Sequence, residues 1–354
     1  MLLEKSDRNA DLYRRPGIVS DGGSQAILYY EHQDTSPPAR QTLYYRMTTD
    51  GGNTWSDRNV LFSGGATGMV HNLMMAYADG ICYSFWNIQY RQLWCSRSKD
   101  GLTWEEPRDL TRMLWRAESE YPWNAFGIGS GHCVRLSNGR ILIPTWFTTG
   151  GDGHKPSAFA NIYSDDGFQT VQIGAMLQNR PETPIVNPNE GAIVELDNGN
   201  VLATVRHDGT CRARAFAVSA GGVGPWHTLQ FRTDLPDPIC HASLQRLQKD
   251  GRTRILFCNC CNADPGAQER WERGLSKYPW SEDARKNLTL RVSDDQGQTF
   301  SAGIPIAQEG GYSDLAVCGD QILCIYETNW NAEDGCIYPR GIGLARIAVS
   351  ELGE

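Results

Sequence analysis

The chain has 354 residues, 40% of them hydrophobic, and a formal net charge of -8. That acidic balance argues against nucleic acid or an anionic membrane as partner, and an anionic substrate would need a local cluster of arginines. No apolar run approaches the ~20 residues of a membrane helix, the N-terminus Met1–Asp7 lacks a signal-peptide pattern, and eleven cysteines at irregular spacing favour reduced thiols and a cytoplasmic location.

Along the chain, long helical periodicity is hard to find. Short apolar runs follow turn signals instead: Ile141-Leu142-Ile143 after Asn138-Gly139, and Val201-Leu202-Ala203 after Asn198-Gly199. This is hairpin punctuation. One eight-residue pattern recurs, with Ser or Thr, then Asp, Gly, Thr and an aromatic residue. Thr48–Trp55 carries it in full, Ser98–Trp104 is one residue short, Ser164–Val171 lacks the second Gly and the aromatic residue, and Ser293–Phe300 is again complete. Ser219–Trp226 reads as a degraded copy without its Asp. The aspartates Asp50, Asp100, Asp166 and Asp295 lie 50, 66 and 129 residues apart, so the last gap holds two units. The chain length then accommodates about six units, which predicts an all-β, six-bladed β-propeller over residues 1–354 as one domain.

The chemistry of the repeat is local. An Asp carboxylate accepts backbone N–H bonds across a turn, Gly supplies positive φ, and the aromatic residue tucks under neighbouring strands. These Asp boxes therefore speak to fold. The thiol cluster Cys258-Asn259-Cys260-Cys261 lacks a second ligand pair at zinc-like spacing and reads as packed strand thiols.

A second set of residues resembles, in order and spacing, the bacterial sialidases of glycoside hydrolase family 33. Tyr13-Arg14-Arg15-Pro16 is similar to that family's Tyr-Arg-Ile-Pro. Asn189-Glu190-Gly191 followed by Arg206 resembles the segment with its catalytic Glu and second arginine. Arg285-Lys286-Asn287-Leu288 resembles the segment of the third arginine, Gly311-Tyr312-Ser313-Asp314 the nucleophile motif, and Ile325-Tyr326-Glu327 the strand that braces the first arginine. The resemblance implies that Arg14, Arg206 and Arg285 bind a substrate carboxylate, that Glu327 holds Arg14, and that Tyr312 is a nucleophile whose proton Glu190 removes. It implies an exo-α-sialidase acting with retention on terminal sialic acid, or a related 2-keto acid sugar, without a cofactor. Arg15, Arg140 and Arg291 read as structural.

The physical sense of such a set is plain. Guanidinium groups suit bidentate carboxylate binding, and a neutral phenol avoids the repulsion that a carboxylate nucleophile would meet beside an anomeric carboxylate. A Tyr nucleophile is a known exception to the two-carboxylate rule of glycosidases. One departure stands out. The family's general acid falls near Pro37-Pro38, where this chain has no carboxylate; Asp34 is the nearest candidate, with Glu31 or His32 as substitutes. That gap leaves two other readings: a binding propeller for sialic acid or another acidic glycan, or a glycosidase or lyase for a different acidic sugar. The aromatic stretch Trp271–Trp280, Tyr121-Pro122-Trp123 and Trp86-Asn87 are candidate pocket walls.

Overall fold

The computed structural model describes residues 1–7, 11–34, 40–65, 69–150, 154–263, 273, 285–328 and 340–353. Strand follows strand almost throughout. A short β1 (Leu2–Lys5) leads into β2 (Asp11–Ser20), β3 (Ala26–Asp34), β4 (Arg40–Thr48) and β5 (Asn59–Ser63). Next come β6 (Val70–Ala78), β7 (Ile81–Ile88), β8 (Gln92–Ser98), β9 (Arg108–Asp109) and the one-and-a-half-turn helix α1 (Thr111–Arg116). The middle holds β10 (Ala125–Ile128), β11 (Val134–Arg135), β12 (Ile141–Thr148), β13 (Ser157–Ser164) and β14 (Gln172–Ile173), then β15 (Gly191–Glu195), β16 (Asn200–Val205), β17 (Ala213–Ala220) and β18 (Trp226–Pro236). The last part comprises β19 (Ser243–Lys249), β20 (Arg252–Cys260), β21 (Lys286–Ser293), β22 (Ile304–Cys318), β23 (Gln321–Thr328) and β24 (Gly341–Ala348).

All strand pairs are antiparallel. Strands β2–β5, β6–β9 and β15–β18 form four-stranded meanders, β10–β14 a five-stranded sheet, and β19–β24 with β1 a seven-stranded one. In that last sheet β22 serves twice: Ile304–Glu309 pair with β21, and Gly310–Cys318 pair with β23. Contacts between strands run round a ring, β2 with β6, β6 with β10 and β11, β11 with β15, β15 with β19, β19 with β22, and β22 with β2. Apolar layers fill the junctions between neighbouring sheets, such as Phe126, Phe147 and Phe168 against Phe85, or Leu28 and Tyr30 against Leu323 and Ile325.

The repeats form one recurring turn. Asp50 accepts the Thr54 amide at 2.9 Å and its hydroxyl at 2.7 Å, while Thr48 Oγ1 donates to Asp50 at 2.8 Å. Asp166 and Asp295 do the same with Thr170 and Thr299. Hydrogen bonds from Thr54 hold the Asp50 carboxyl at about 2. Gly297 sits at φ 85 with its Cα against Leu202 of β16, so a side chain there would meet both strain and Leu202 Cδ2. At Ser219 the turn is different: its hydroxyl donates to the Gly224 carbonyl and no carboxylate takes part. Cys258 and Cys260 are buried strand thiols, and no cysteine among the described residues is in a disulfide.

Candidate active site

One hairpin supplies two of the key side chains. Strands β15 and β16 are joined by the Asn198-Gly199 turn, with Gly199 at φ 78. That turn fixes the register, so that at the opposite end Glu190 and Arg206 face each other, with the Arg206 amide donating to the Glu190 carbonyl at 2.9 Å. Their side chains meet as well, Arg206 Nη1 lying 2.6 Å from Glu190 Oε2.

Tyr312 arrives from β22, at the point where its register against β23 shifts between Gly310 and Ser313. Its hydroxyl donates to Glu190, 2.7 Å from each carboxylate oxygen, and accepts from Arg206 Nη1 at 2.7 Å. The Arg285 guanidinium lies over the Tyr312 ring, 5.3 Å from its centre. Glu327 of β23 is fully buried and ties three segments together. It accepts the Tyr312 amide at 3.3 Å and the Arg15 amide at 3.0 Å, and pairs with Arg14 Nε at 3.6 Å. Residues far apart in the chain thus converge at one end of the strand ring.

The electrostatics follow from burial against charge. Burial would lift the Glu190 carboxyl, but the Arg206 guanidinium, with help from His241 and the Tyr312 hydroxyl, holds it at about 2. Burial pushes the Tyr312 phenol well above its ordinary value; Arg206 opposes this and Glu190 adds to it. Glu190 is therefore a carboxylate and Tyr312 a neutral phenol at pH 7, with acceptor and cation both in contact with the hydroxyl. Such a pair can pass a proton from phenol to carboxylate while the guanidinium steadies the phenolate.

Next to the pair lie further buried groups, most of which sequence patterns did not single out. His241 is fully buried with its ring centre 5.5 Å from that of Tyr312. Burial holds its imidazole down at about 4, with Glu190 opposing. Asp314 is buried beside it, bonded to His132 Nδ1 at 2.8 Å and to the Ile18 amide at 2.9 Å. Only Asp314 lay in a segment already singled out; a His outside any motif carries no sequence mark of its depth.

Other expectations fare differently. Asp34 ends β3 opposite Asp11 and Arg40. The Pro37-Pro38 position lies outside the described residues, as does Trp271–Trp280 apart from Arg273. Glu31 is fully buried, accepting from Arg15 Nη1 at 2.8 Å and from the Asn72 amide. His32 lies 2.5 Å from Asp11 and stacks on Tyr13. Neither stands in contact with the Tyr312 hydroxyl. Trp86 is a core residue against Phe62, not a pocket wall, and the Asn87 side chain bonds the Ile128 amide. Arg140 is surface scaffolding, paired with Asp165 at 2.7 Å. Arg15 pairs with the buried Glu31 at 2.8 Å and gives its amide to Glu327, in keeping with a structural reading, and its charge also acts on Tyr90, Tyr312 and Glu190 from a bulge in β2. Pro16 within a strand was the available signal, since Pro there marks a bulge. Among the described residues no group of three His, Cys, Asp or Glu is arranged to hold a metal ion.

This is an all-β, propeller-like protein with an arginine-rich centre built around a Tyr–Glu pair. The pattern of the BNR repeat-like domain matches residues 81–325, and the chain belongs to the sialidase/BNR-repeat family. It is 24% identical over 339 residues to a sialidase of Micromonospora viridifaciens, an alignment covering 87% of this chain and 48% of that protein. It therefore spans about half the length of that relative. It is 26% identical over 387 residues to Sialidase-3 of Rattus norvegicus, covering 94% of this chain and 91% of the relative. Among solved structures it resembles the Hadza microbial sialidase Hz136, with a TM-score of 0.74 at 19% identity over 96% of this chain and 66% of the other.

Proposed function

We propose that the chain is a retaining exo-α-sialidase on a six-bladed β-propeller, with Tyr312 as nucleophile and Glu190 as its base. The observation that carries the reading is the Tyr312 hydroxyl held 2.7 Å from both Glu190 and Arg206. Six blades follow if the seven-stranded sheet counts as two that share β22, in keeping with the ring of strand contacts.

In this reading the substrate carboxylate lies among Arg14, Arg206 and Arg285. Binding draws Arg206 partly away from Glu190, which raises the carboxylate's basicity at the moment a base is needed. The Tyr312 oxygen attacks the anomeric carbon as its proton passes to Glu190. The bond to the aglycone oxygen breaks, and that oxygen takes a proton from Asp34. Water, deprotonated by the same group, then displaces the tyrosine oxygen, which recovers its proton from Glu190, and the sugar leaves with its configuration retained. The partner is a sialylated glycan or a related acidic sugar. The sialidase relatives and the arrangement of Glu327 behind Arg14 support the assignment.

The test is hydrolysis of a fluorogenic sialoside, with NMR identifying the first anomer released. Ready turnover with release of the α anomer is expected. Tight calorimetric binding of sialic acid with no turnover of any sialoside would replace this reading with that of a binding protein.

A further inference from the structure

In a regular strand Arg14 and Arg15 would point to opposite faces of the sheet. Here, however, β2 is bulged at this point. Arg14 pairs with Glu31 and Gly17 with Tyr29, so Arg15 and Pro16 together oppose the single residue Tyr30. Arg15 adopts φ 49, a left-handed conformation that costs a non-glycine residue on the order of 1 kcal/mol or more and persists only where its surroundings impose it. Glu327 secures the bulge by accepting the Arg15 amide. Glu31, fully buried, secures the side chain through Nη1.

What this arrangement presents is a guanidinium with donors to spare. Arg15 keeps 19% of its side chain exposed, and Nε and Nη2 have no partner among the described residues. Glu327 accepts the amides of both Arg15 and Tyr312, at 3.0 and 3.3 Å, which joins the Arg15 segment to that of the Tyr–Glu pair. Arg15 also interacts electrostatically with Tyr90, whose ring lies 3.8 Å from that of His71 and 4.7 Å from that of His154. Burial, and then the Arg15 charge, pushes both imidazoles below their ordinary value. Because Glu31 already offsets the charge of Arg15, the pair offers directed N–H donors more than net positive field. That suits a neutral oxygen rather than a second carboxylate.

We propose that Arg15 is a fourth substrate-binding arginine, aimed by the bulge and by Glu31 to donate hydrogen bonds to a neutral oxygen of the bound glycoside near the scissile bond. The proposal rests on the sialidase reading. The oxygen is either a ring hydroxyl of the sugar or the departing glycosidic oxygen; both have the same acceptor chemistry.

The test compares wild type with Arg15→Lys and with a double variant, Arg15→Gln with Glu31→Gln, which leaves no buried carboxylate stranded. Each is assayed on aryl sialosides of graded leaving-group pKa and on ring-deoxygenated sialosides, with thermal melting as a check on folding. The expected result is a loss in kcat/KM of about 10- to 100-fold on the unmodified glycoside, the range for hydrogen bonds to a charged group. A ring-hydroxyl contact predicts that the loss disappears on the matching deoxy substrate and is uniform across leaving groups. A contact to the departing oxygen predicts a loss that grows with leaving-group pKa and persists on every deoxy substrate. Folded variants within twofold of wild type on all substrates would overturn the proposal. Wild-type inactivity on every sialoside would refute the sialidase reading instead. Calorimetry with sialic acid then reads the ring contact directly, and a Kd unchanged in the variants overturns the proposal in that case too.

Discussion

Replacing Arg206 by Gln should change catalysis and acid stability together, because one guanidinium serves both Glu190 and Tyr312. With Arg206 in place the Glu190 carboxyl sits at about 2, against roughly 4.3 for an unperturbed Glu. A folded-state value below the unfolded one contributes stability that is full above pH ~4.3 and is lost as pH falls through about 2. The difference of about 2.3 units, at about 1.36 kcal/mol each, gives roughly 3 kcal/mol at pH 7 and about half of that at pH 3. Glu190 is only 14% exposed, so solvent screening removes little of this. In the variant, burial acts on Glu190 without its largest opposing charge, and the carboxyl rises to its ordinary range or above. Urea denaturation should therefore show the variant about 3 kcal/mol less stable at pH 7, with the gap closing toward pH 3. Kinetically, loss of a carboxylate contact should raise KM by about 10- to 100-fold, and the acid limb of kcat/KM should move to higher pH. A stability gap equal at pH 7 and pH 3, with an unmoved acid limb, would refute the electrostatic account of this site.

Three further outcomes follow from the same geometry. Tyr312→Phe leaves Glu190 and Arg206 paired at 2.6 Å, so no buried charge is orphaned; sialoside turnover should fall by about 10³-fold or more while the melting temperature drops by only a few degrees, and retained turnover would remove Tyr312 as nucleophile. Asp34→Ala should slow substrates with poor leaving groups most and aryl sialosides least; equal wild-type rates on natural glycans would rule Asp34 out as the acid. Gly17→Ala should destabilise the fold by about 1–3 kcal/mol, since its Cβ would fall 2.2 Å from the Tyr29 ring, whose hydroxyl reaches across to the Gly131 carbonyl; chemical denaturation measures it, and a neutral effect would show that Tyr29 can move aside.

The fold was legible wherever local chemistry dictates it. Asn-Gly turns and Asp boxes carry their own geometry, and Asp50, Asp166 and Asp295 make the bonds their spacing implies. The convergence of Glu190, Arg206 and Tyr312 was legible only through resemblance, because no local pattern states that residues 106 and 122 positions apart will touch. Depth was not legible at all. His241 and His132 look like any other histidines in the sequence, and Trp86 like a candidate wall, yet the fold buries His241 beside Tyr312, joins His132 to the buried Asp314 and places Trp86 in the core.

Arg15 shows why the remainder was hidden. Strict alternation assigns consecutive residues to opposite faces, and under that rule one of Arg14 and Arg15 must be structural. The bulge suspends the rule for a single residue, and the buried Glu31 and Glu327 make the exception stable. Two acidic residues behind two arginines are more than carboxylate binding by Arg14 alone requires. Glu327 braces the Arg14 side chain and accepts the Arg15 amide, whereas among the described residues the Glu31 side chain bonds only Arg15 and the Asn72 amide. A fully buried carboxylate is costly unless paired, so its place here is explained by the arginine it aims rather than by packing.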